Sequence, residues 1–413
     1  MLQIAIFSVH SCPLAPLGGQ KTGGMNVYVQ QSARELAQRG HQVDIFTRWH
    51  DSDLPELIEA EPNLRVIHIE AGDRVELAPD DIYPHLPAFT AGVRAYAQRH
   101  ARRYDLIHSH YWLSGLVGLS LQAEWHIPHI AMFHTLGEVK RRARVGESES
   151  DLRIEAERRV VAGADRIVGS TAHERDSLIR LYGADPGRIE IIPCGVDLDL
   201  FRPIDKLQAR QKLGLNEQHI LLYVGRIEPL KGIDILISAV SRLEGKREVS
   251  VLVIGGDGRN EEMERLRRLA REKGVAEQVS FLGAVEQQKL PLFYSAADVC
   301  VLPSHYESFG LVALESLACG TPVVASRVGG LPATVHDGSN GYLIPWRCPE
   351  AFAERLELLL ESDLLRQNLG HAARASVERY SWSYVAERTI QLYGAVLTTR
   401  GRASAQLPPA GLV

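Results

Sequence analysis

The chain has 413 residues, 45% of them hydrophobic and 23% charged, with 46 Lys and Arg against 51 Asp and Glu. That length predicts two domains of about 100–200 residues each. The net charge of −5 excludes a general electrostatic attraction to nucleic acid or anionic lipid.

Gln3 to Val9 reads as the first strand. A loop rich in Gly and Pro follows, then a helix from about Asn26 to Arg39 that Gly40 ends. Further strands are expected at Gln42 to Thr47, Leu64 to Ile69, Leu106 to Ser109, Ile127 to Phe133, Asp165 to Gly169 and Ile189 to Ile192, most of them separated by helical patterns. That alternation predicts a mainly parallel sheet with crossover helices. A Pro- and Asp-bearing stretch, Val196 to Pro203, marks the break between halves and leads into a helical Lys206 to Leu213. The second half repeats the scheme with short β-branched runs at Ile220 to Val224, Ser250 to Ile254, Val279 to Leu282, Val299 to Leu302 and Pro322 to Ala325, the pattern of strands buried on both faces. The expected organisation is an α/β chain with domains at 1–199 and 200–380, a returning helical segment at 381–398 and a disordered tail at 399–413.

The cysteines Cys12, Cys194, Cys300, Cys319 and Cys348 are odd in number, scattered and without a C-x-x-C. They argue against a disulfide framework or a zinc site. No basic start precedes an apolar stretch and no apolar run reaches about 18 residues, so neither a secretory signal nor a transmembrane helix is expected. The expected location is the cytoplasm, with peripheral association at the inner membrane face as a variant.

The most informative stretch is His305-Tyr306-Glu307-Ser308-Phe309-Gly310-Leu311, which leads to Glu315. Ser308 is expected to cap a helix whose first turn holds Phe309 and Gly310, with backbone N–H groups free for an anion or a hydroxyl-rich ligand. Glu315 lies among Leu311, Val312, Ala313, Leu314 and Leu317, and a carboxylate there needs a partner. Two carboxylates with seven residues between them suit a ligand carrying both sugar hydroxyls and phosphates. Arg226 and Lys231 follow a strand that ends at Val224-Gly225. Cations at such a carboxyl end suit a pyrophosphate and can stabilise it as a leaving group. Gly23-Gly24 opens the first helix and lets backbone approach a phosphate. Gly255-Gly256-Asp257-Gly258 lacks dinucleotide spacing and reads as a nucleotide-side loop. His108 and His110 have no third ligand at plausible spacing, so no metal is expected. Asp197-Leu198-Asp199 sits at the break and is discounted as a metal–nucleotide motif.

Glu307 and Glu315 with their intervening Ser308-Phe309-Gly310-Leu311 resemble the E-x7-E motif of retaining GT-B glycosyltransferases of family 4. The resemblance extends to Gly23 through Tyr28, to Val224 through Gly232, and to Gly255 through Gly258, and so covers nearly the whole chain. It implies two Rossmann-like domains facing across a cleft, and a nucleoside-diphosphate sugar as donor, UDP-glucose or UDP-N-acetylglucosamine being expected. Arg226 and Lys231 would hold the diphosphate, Glu315 the ribose, and Glu307 with the amides of Phe309, Gly310 and Leu311 the sugar. Gly23 and Gly24 would approach from the opposite domain, and His134 would orient the sugar. The resemblance implies no cofactor and no metal, and implies that the leaving phosphate itself takes the acceptor proton.

The N-terminal domain is most similar to the inositol-phosphate N-acetylglucosaminyltransferases of mycothiol synthesis and to sucrose-phosphate synthases. This rests on Gly24 through Val29, Ile107 through Gly115 and Arg153 through Glu157. It implies that Asn26, Tyr111, Thr135 and Arg153 approach a small, phosphorylated sugar or cyclitol. The lysine that those families carry between Gly72 and Asp81 is absent; Pro79 stands near its place, Arg74 is the nearest cation, and Lys140 and Arg141 could compensate. A lipid-linked or cell-envelope glycan is the alternative acceptor. A UDP-sugar 2-epimerase, a non-catalytic sugar-nucleotide binder and a dinucleotide oxidoreductase are the remaining rivals. No nucleic-acid partner is expected, and the oligomeric state stays open.

Overall fold

The structure is a computed structural model that describes residues 1–15, 23–143, 149–216, 219–244, 248–256 and 261–406. Part of the loop before Gly23, as well as Asp257 and Gly258, lies outside the described residues. The first sheet has eight strands: β1 (Gln3–Phe7), β2 (Gln42–Arg48), β3 (Leu57–Glu61), β4 (Leu64–Ile69), β5 (Leu106–His110), β6 (His129–Met132), β7 (Arg166–Gly169) and β8 (Ile189–Ile191). Their order is β3-β4-β2-β1-β5-β6-β7-β8. Every pairing is parallel except β3 with β4. The antiparallel edge strand β3 was not anticipated. Its Leu-Ile-Glu-Ala-Glu sequence is half-exposed, so it lacks the apolar run that marks the inner strands.

The second sheet has six parallel strands: β9 (His219–Val224), β10 (Val249–Ile254), β11 (Val279–Gly283), β12 (Val299–Leu302), β13 (Val323–Ser326) and β14 (Gly341–Ile344). Their order is β11-β10-β9-β12-β13-β14. The inner strands β9, β10, β12 and β13 are almost wholly buried, as their apolar sequences require. The short edge strand β14 was also not anticipated.

Strand order reverses between β1 and β5 in the first sheet and between β9 and β12 in the second. Ligands of open α/β sheets bind outside the strand carboxyl ends at such switch points. The loops after these four strands carry His10, Tyr111, Arg226, Lys231 and Glu307.

The halves are joined twice at one place. Val196 bridges to Ser381, and the Val196 N–H donates to the Tyr380 carbonyl at 2.7 Å. The last helix, Trp382–Gln406, packs on the first-domain helix Gly24–Gln38. It runs past the Thr398 limit expected from sequence; residues 407–413 lie outside the described residues. Trp382 stacks edge-on against Tyr28 at 5.6 Å, the Tyr393 hydroxyl meets His108 Nδ1 at 2.7 Å, and Arg388 pairs with Glu190 at 2.6 Å. All five cysteines are free, four of them buried. No described helix is long and apolar enough to cross a membrane.

Candidate active site

Lys231 and Glu307 meet across the second switch point. Lys231 Nζ lies 2.7 Å from Glu307 Oε2, both side chains about one-fifth exposed. The two loops are held together by the His305 N–H, which donates to the Leu230 carbonyl at 2.8 Å. Behind Glu307 run Gly329 and Gly330. Gly329 has φ +53°, and a Cβ there would lie 1.8 Å from the Glu307 carbonyl oxygen. The Gly330 N–H donates to that same oxygen at 3.0 Å. Sequence reasoning missed this pair, although a Gly-Gly three residues beyond a strand is a visible sign of close backbone approach. Arg226 is half-exposed beside them and pairs with Glu228 at 3.1 Å.

The helix after Glu307 begins two residues later than expected. It spans Leu311–Ala318, and its N-cap is Gly310, not Ser308. Gly310 has φ +93°, outside the helical region, so no helix can include it. Phe309 and Gly310 therefore precede the helix, and the Ser308 hydroxyl turns to Tyr306 at 3.3 Å. The free first-turn N–H groups begin at Leu311.

Glu315 lies inside that helix, 9% exposed. The Tyr294 hydroxyl donates to it at 2.7 Å. Burial pushes its carboxyl up to about 7, and the hydrogen bonds from Tyr294 and Gln287 oppose that rise. Glu315 faces a narrow crevice between the domains, lined also by Val27, Gln31, Leu311 and Trp382. The crevice is tight: a Cβ on Gly24 would lie 3.0 Å from the Leu311 side chain. Beside Glu307, the Tyr306 hydroxyl lies near Leu136 and feels the charge of Arg153, both of the first domain. A hollow lined by Gln42, Glu59, Asn63 and Arg102 lies by the amino ends of β2 and β4, away from all these groups.

On the first-domain side, His134 follows β6 with φ +61°. Its Nε2 lies 2.9 Å from His110 Nδ1, and Tyr28 packs edge-on against it at 5.2 Å. Burial pushes the imidazole down to about 3, so it is neutral near pH 7. His134 keeps some exposure, whereas His108 and His110 are buried and also held low. They serve Tyr393 and His134 respectively. Among the described residues no group of three or more His, Cys, Asp or Glu is arranged to hold a metal ion. The Asp197-Leu198-Asp199 stretch forms a turn, in which Asp197 Oδ1 accepts from the N–H groups of Asp199 and Leu200.

Three of the four expected acceptor residues come together. Arg153 donates to the Thr135 carbonyl and hydroxyl at 3.0 and 2.9 Å. Its guanidinium sits 4.9 Å above the Tyr111 ring. Tyr111 has φ +78° at the N-cap of the helix Trp112–Trp125 and packs against His10 at 4.2 Å. Asn26 is not brought to this cluster. Its amide binds the Ser11 hydroxyl and the Cys12 carbonyl, both at 2.8 Å, and accepts from the Gly23 N–H that opens its own helix. Gly23 has extended backbone at that N-cap.

Two parallel-dominated α/β domains with facing switch points define the GT-B class of glycosyltransferase folds. Residues 22–200 match the family described as Glycosyltransferase Family 4, and residues 205–376 match Glycosyl transferases group 1. A D-inositol 3-phosphate glycosyltransferase 2 of Catenulispora acidiphila is 43% identical over 402 residues, 95% of this chain and 94% of that protein. A D-inositol 3-phosphate glycosyltransferase of Acidothermus cellulolyticus is 44% identical, over 98% of this chain and 92% of that one. The structure of sucrose-phosphate synthase from Thermosynechococcus elongatus superposes with a TM-score of 0.90 at 35% identity, covering 97% of this chain and all of that one. The chain belongs to the group 1/family 4 glycosyltransferases.

Proposed function

We propose that this glycosyltransferase is retaining and metal-independent, and that it moves a hexosyl group from a UDP-sugar to a hydroxyl of a phosphorylated cyclitol. The juxtaposition of Lys231 with Glu307 at one switch point, opposite the Thr135–Arg153–Tyr111 cluster at the other, carries this reading. The relatives named D-inositol 3-phosphate glycosyltransferase supply the acceptor class. UDP-glucose and UDP-N-acetylglucosamine are the donors proposed.

In this scheme Lys231 and Arg226 leave their resting carboxylates, Glu307 and Glu228, to neutralise the donor diphosphate. Their charge lowers the barrier as the anomeric C–O bond breaks and negative charge grows on the leaving phosphate. Glu307 and the amides around Phe309, Gly310 and Leu311 then bind the sugar hydroxyls, and Glu315 accepts from the ribose. Gly24 gives the diphosphate room at the opposite wall. His134, neutral and fixed by His110, orients the sugar. The acceptor oxygen bonds to the anomeric carbon on the face that the phosphate leaves, and its proton passes to that phosphate. No protein nucleophile, resident cofactor or metal is required.

Site variants test the assignment. Lys231→Ala and Glu307→Gln are expected to cut turnover by roughly 100-fold or more, the scale for losing a transition-state contact, while melting within about 3 °C of wild type, as partly exposed substitutions do. Steady-state kinetics at saturating donor with added EDTA reads this. Near-normal turnover in both variants contradicts the site.

A further inference from the structure

The acceptor end of the cleft holds more carboxylate than a phosphate-binding site should. Arg74, the cation nearest the place of the missing lysine, is stacked on Trp49 at 3.6 Å and paired with Glu70. Arg141 and Arg142 are engaged by Glu138, and Arg141 also by Asp151. Lys140 and Arg153 remain, and both reach Glu149. Arg153 Nη1 lies 2.6 Å from one of its oxygens, and Lys140 Nζ contacts the other.

The two carboxylates on Arg153 are not equivalent. Glu157 is fully buried on the helix Asp151–Gly163; it accepts two hydrogen bonds from the Gly137 N–H, at 2.9 and 3.1 Å, and one from the Tyr182 hydroxyl. It is fixed by neutral donors and belongs to the framework. Glu149 stands one residue before Ser150, the N-cap of that helix. Its carboxylate is held by the two cations, so it can leave without unwinding any helical turn. Its departure frees an ammonium and a guanidinium edge whose other nitrogen holds the Thr135 hydroxyl, with a net charge of +1 once Glu157 is counted. That combination suits a phosphate monoester.

We propose that Glu149 is an intramolecular occupant of the acceptor anion site that the family resemblance places at Thr135 and Arg153, held there by Arg153 and Lys140 and displaced when a phosphate-bearing acceptor enters. Lys140 then takes the part of the lysine absent from the Gly72 to Asp81 region, and Glu149 makes the subsite selective for anions strong enough to compete with it. The inference rests on the phosphorylated-acceptor reading for its ligand.

Titration with inorganic phosphate in the presence of saturating UDP, which fills the donor diphosphate site, tests the subsite without assuming any acceptor. Full-length Glu149→Gln is expected to bind phosphate about tenfold or more tightly than wild type, since the competing charge is gone. Adding Lys140→Gln is expected to reverse the gain. Equal affinity in wild type and Glu149→Gln overturns the inference. If Glu149→Gln does not fold, Lys140→Gln decides: weaker phosphate binding than wild type supports the subsite, and equal binding overturns it. Should phosphate behave as expected while no phosphorylated acceptor is turned over, the subsite stands and the acceptor reading fails. Should phosphorylated acceptors be used while phosphate affinity ignores Glu149, the reverse holds.

Discussion

At the scale of single residues, the two carboxylates of the motif are in opposite electrostatic situations. Glu307 is partly exposed and already paired with a cation. Glu315 is buried with only hydroxyl and amide donors, which is why its carboxyl rises to about 7. Ribose hydroxyls that donate to Glu315 favour its ionised form, so the bound state has the lower pKa. Linkage then makes donor affinity rise with pH, by up to about tenfold per unit below pH 7, and level off above it. UDP-glucose is the suitable probe, because its diphosphate diester does not titrate there. Isothermal titration between pH 5.5 and 8 is expected to show this slope in wild type and not in Glu315→Gln. A parallel pH dependence in both proteins would separate Glu315 from the ribose. The sequence made Glu307, Glu315, Arg226 and Lys231 legible because motif and strand end coincide there. It could not reveal the roles of His110 or Tyr294, whose partners 24 and 21 positions away only the fold brings near.

At the scale of elements, apolar runs located every inner strand, because strands buried on both faces must be continuously apolar. The edge strands β3 and β14 escaped, being short or half-polar. The helix start at Leu311 was misjudged because Ser308 is a good cap by residue type, whereas the backbone turn at Gly310 decides where the helix can begin. The Gly329–Gly330 turn positions Glu307 from behind. Gly329→Ala forces a Cβ toward the Glu307 carbonyl and adds strain at positive φ. Turnover is expected to fall by about tenfold or more, since small displacements of a positioning group are costly; unchanged kcat would detach this turn from the site. The returning helix is anchored by Trp382, which lies over Gly195 so closely that a Cβ there would sit 2.4 Å from the indole. Trp382→Ala is expected to destabilise the protein by roughly 3–5 kcal/mol, read by urea denaturation. A loss below about 1 kcal/mol would mean that the helix is held elsewhere.

For the whole molecule, each sheet has its own switch point, and the chain crosses between the two domains twice, near Val196 and near Ser381. Every group proposed to touch the donor diphosphate or the sugar lies near a carboxyl end of a strand or a helix start, which is where this architecture leaves backbone donors and loops free. The wall at Gly24 leaves no room for a Cβ beside Leu311, and a cleft closed that tightly keeps water from the donor. In the proposed reaction this cleft passes a sugar from UDP to a phosphorylated cyclitol with retention. The most direct measurement is a transfer assay in EDTA, with UDP-glucose and UDP-N-acetylglucosamine each offered to inositol phosphate, fructose 6-phosphate and their unphosphorylated forms, and the product's anomeric configuration read by NMR. The expected result is UDP release with an α-linked product on the phosphorylated cyclitol. A β-linked product, or transfer confined to unphosphorylated acceptors, would contradict it.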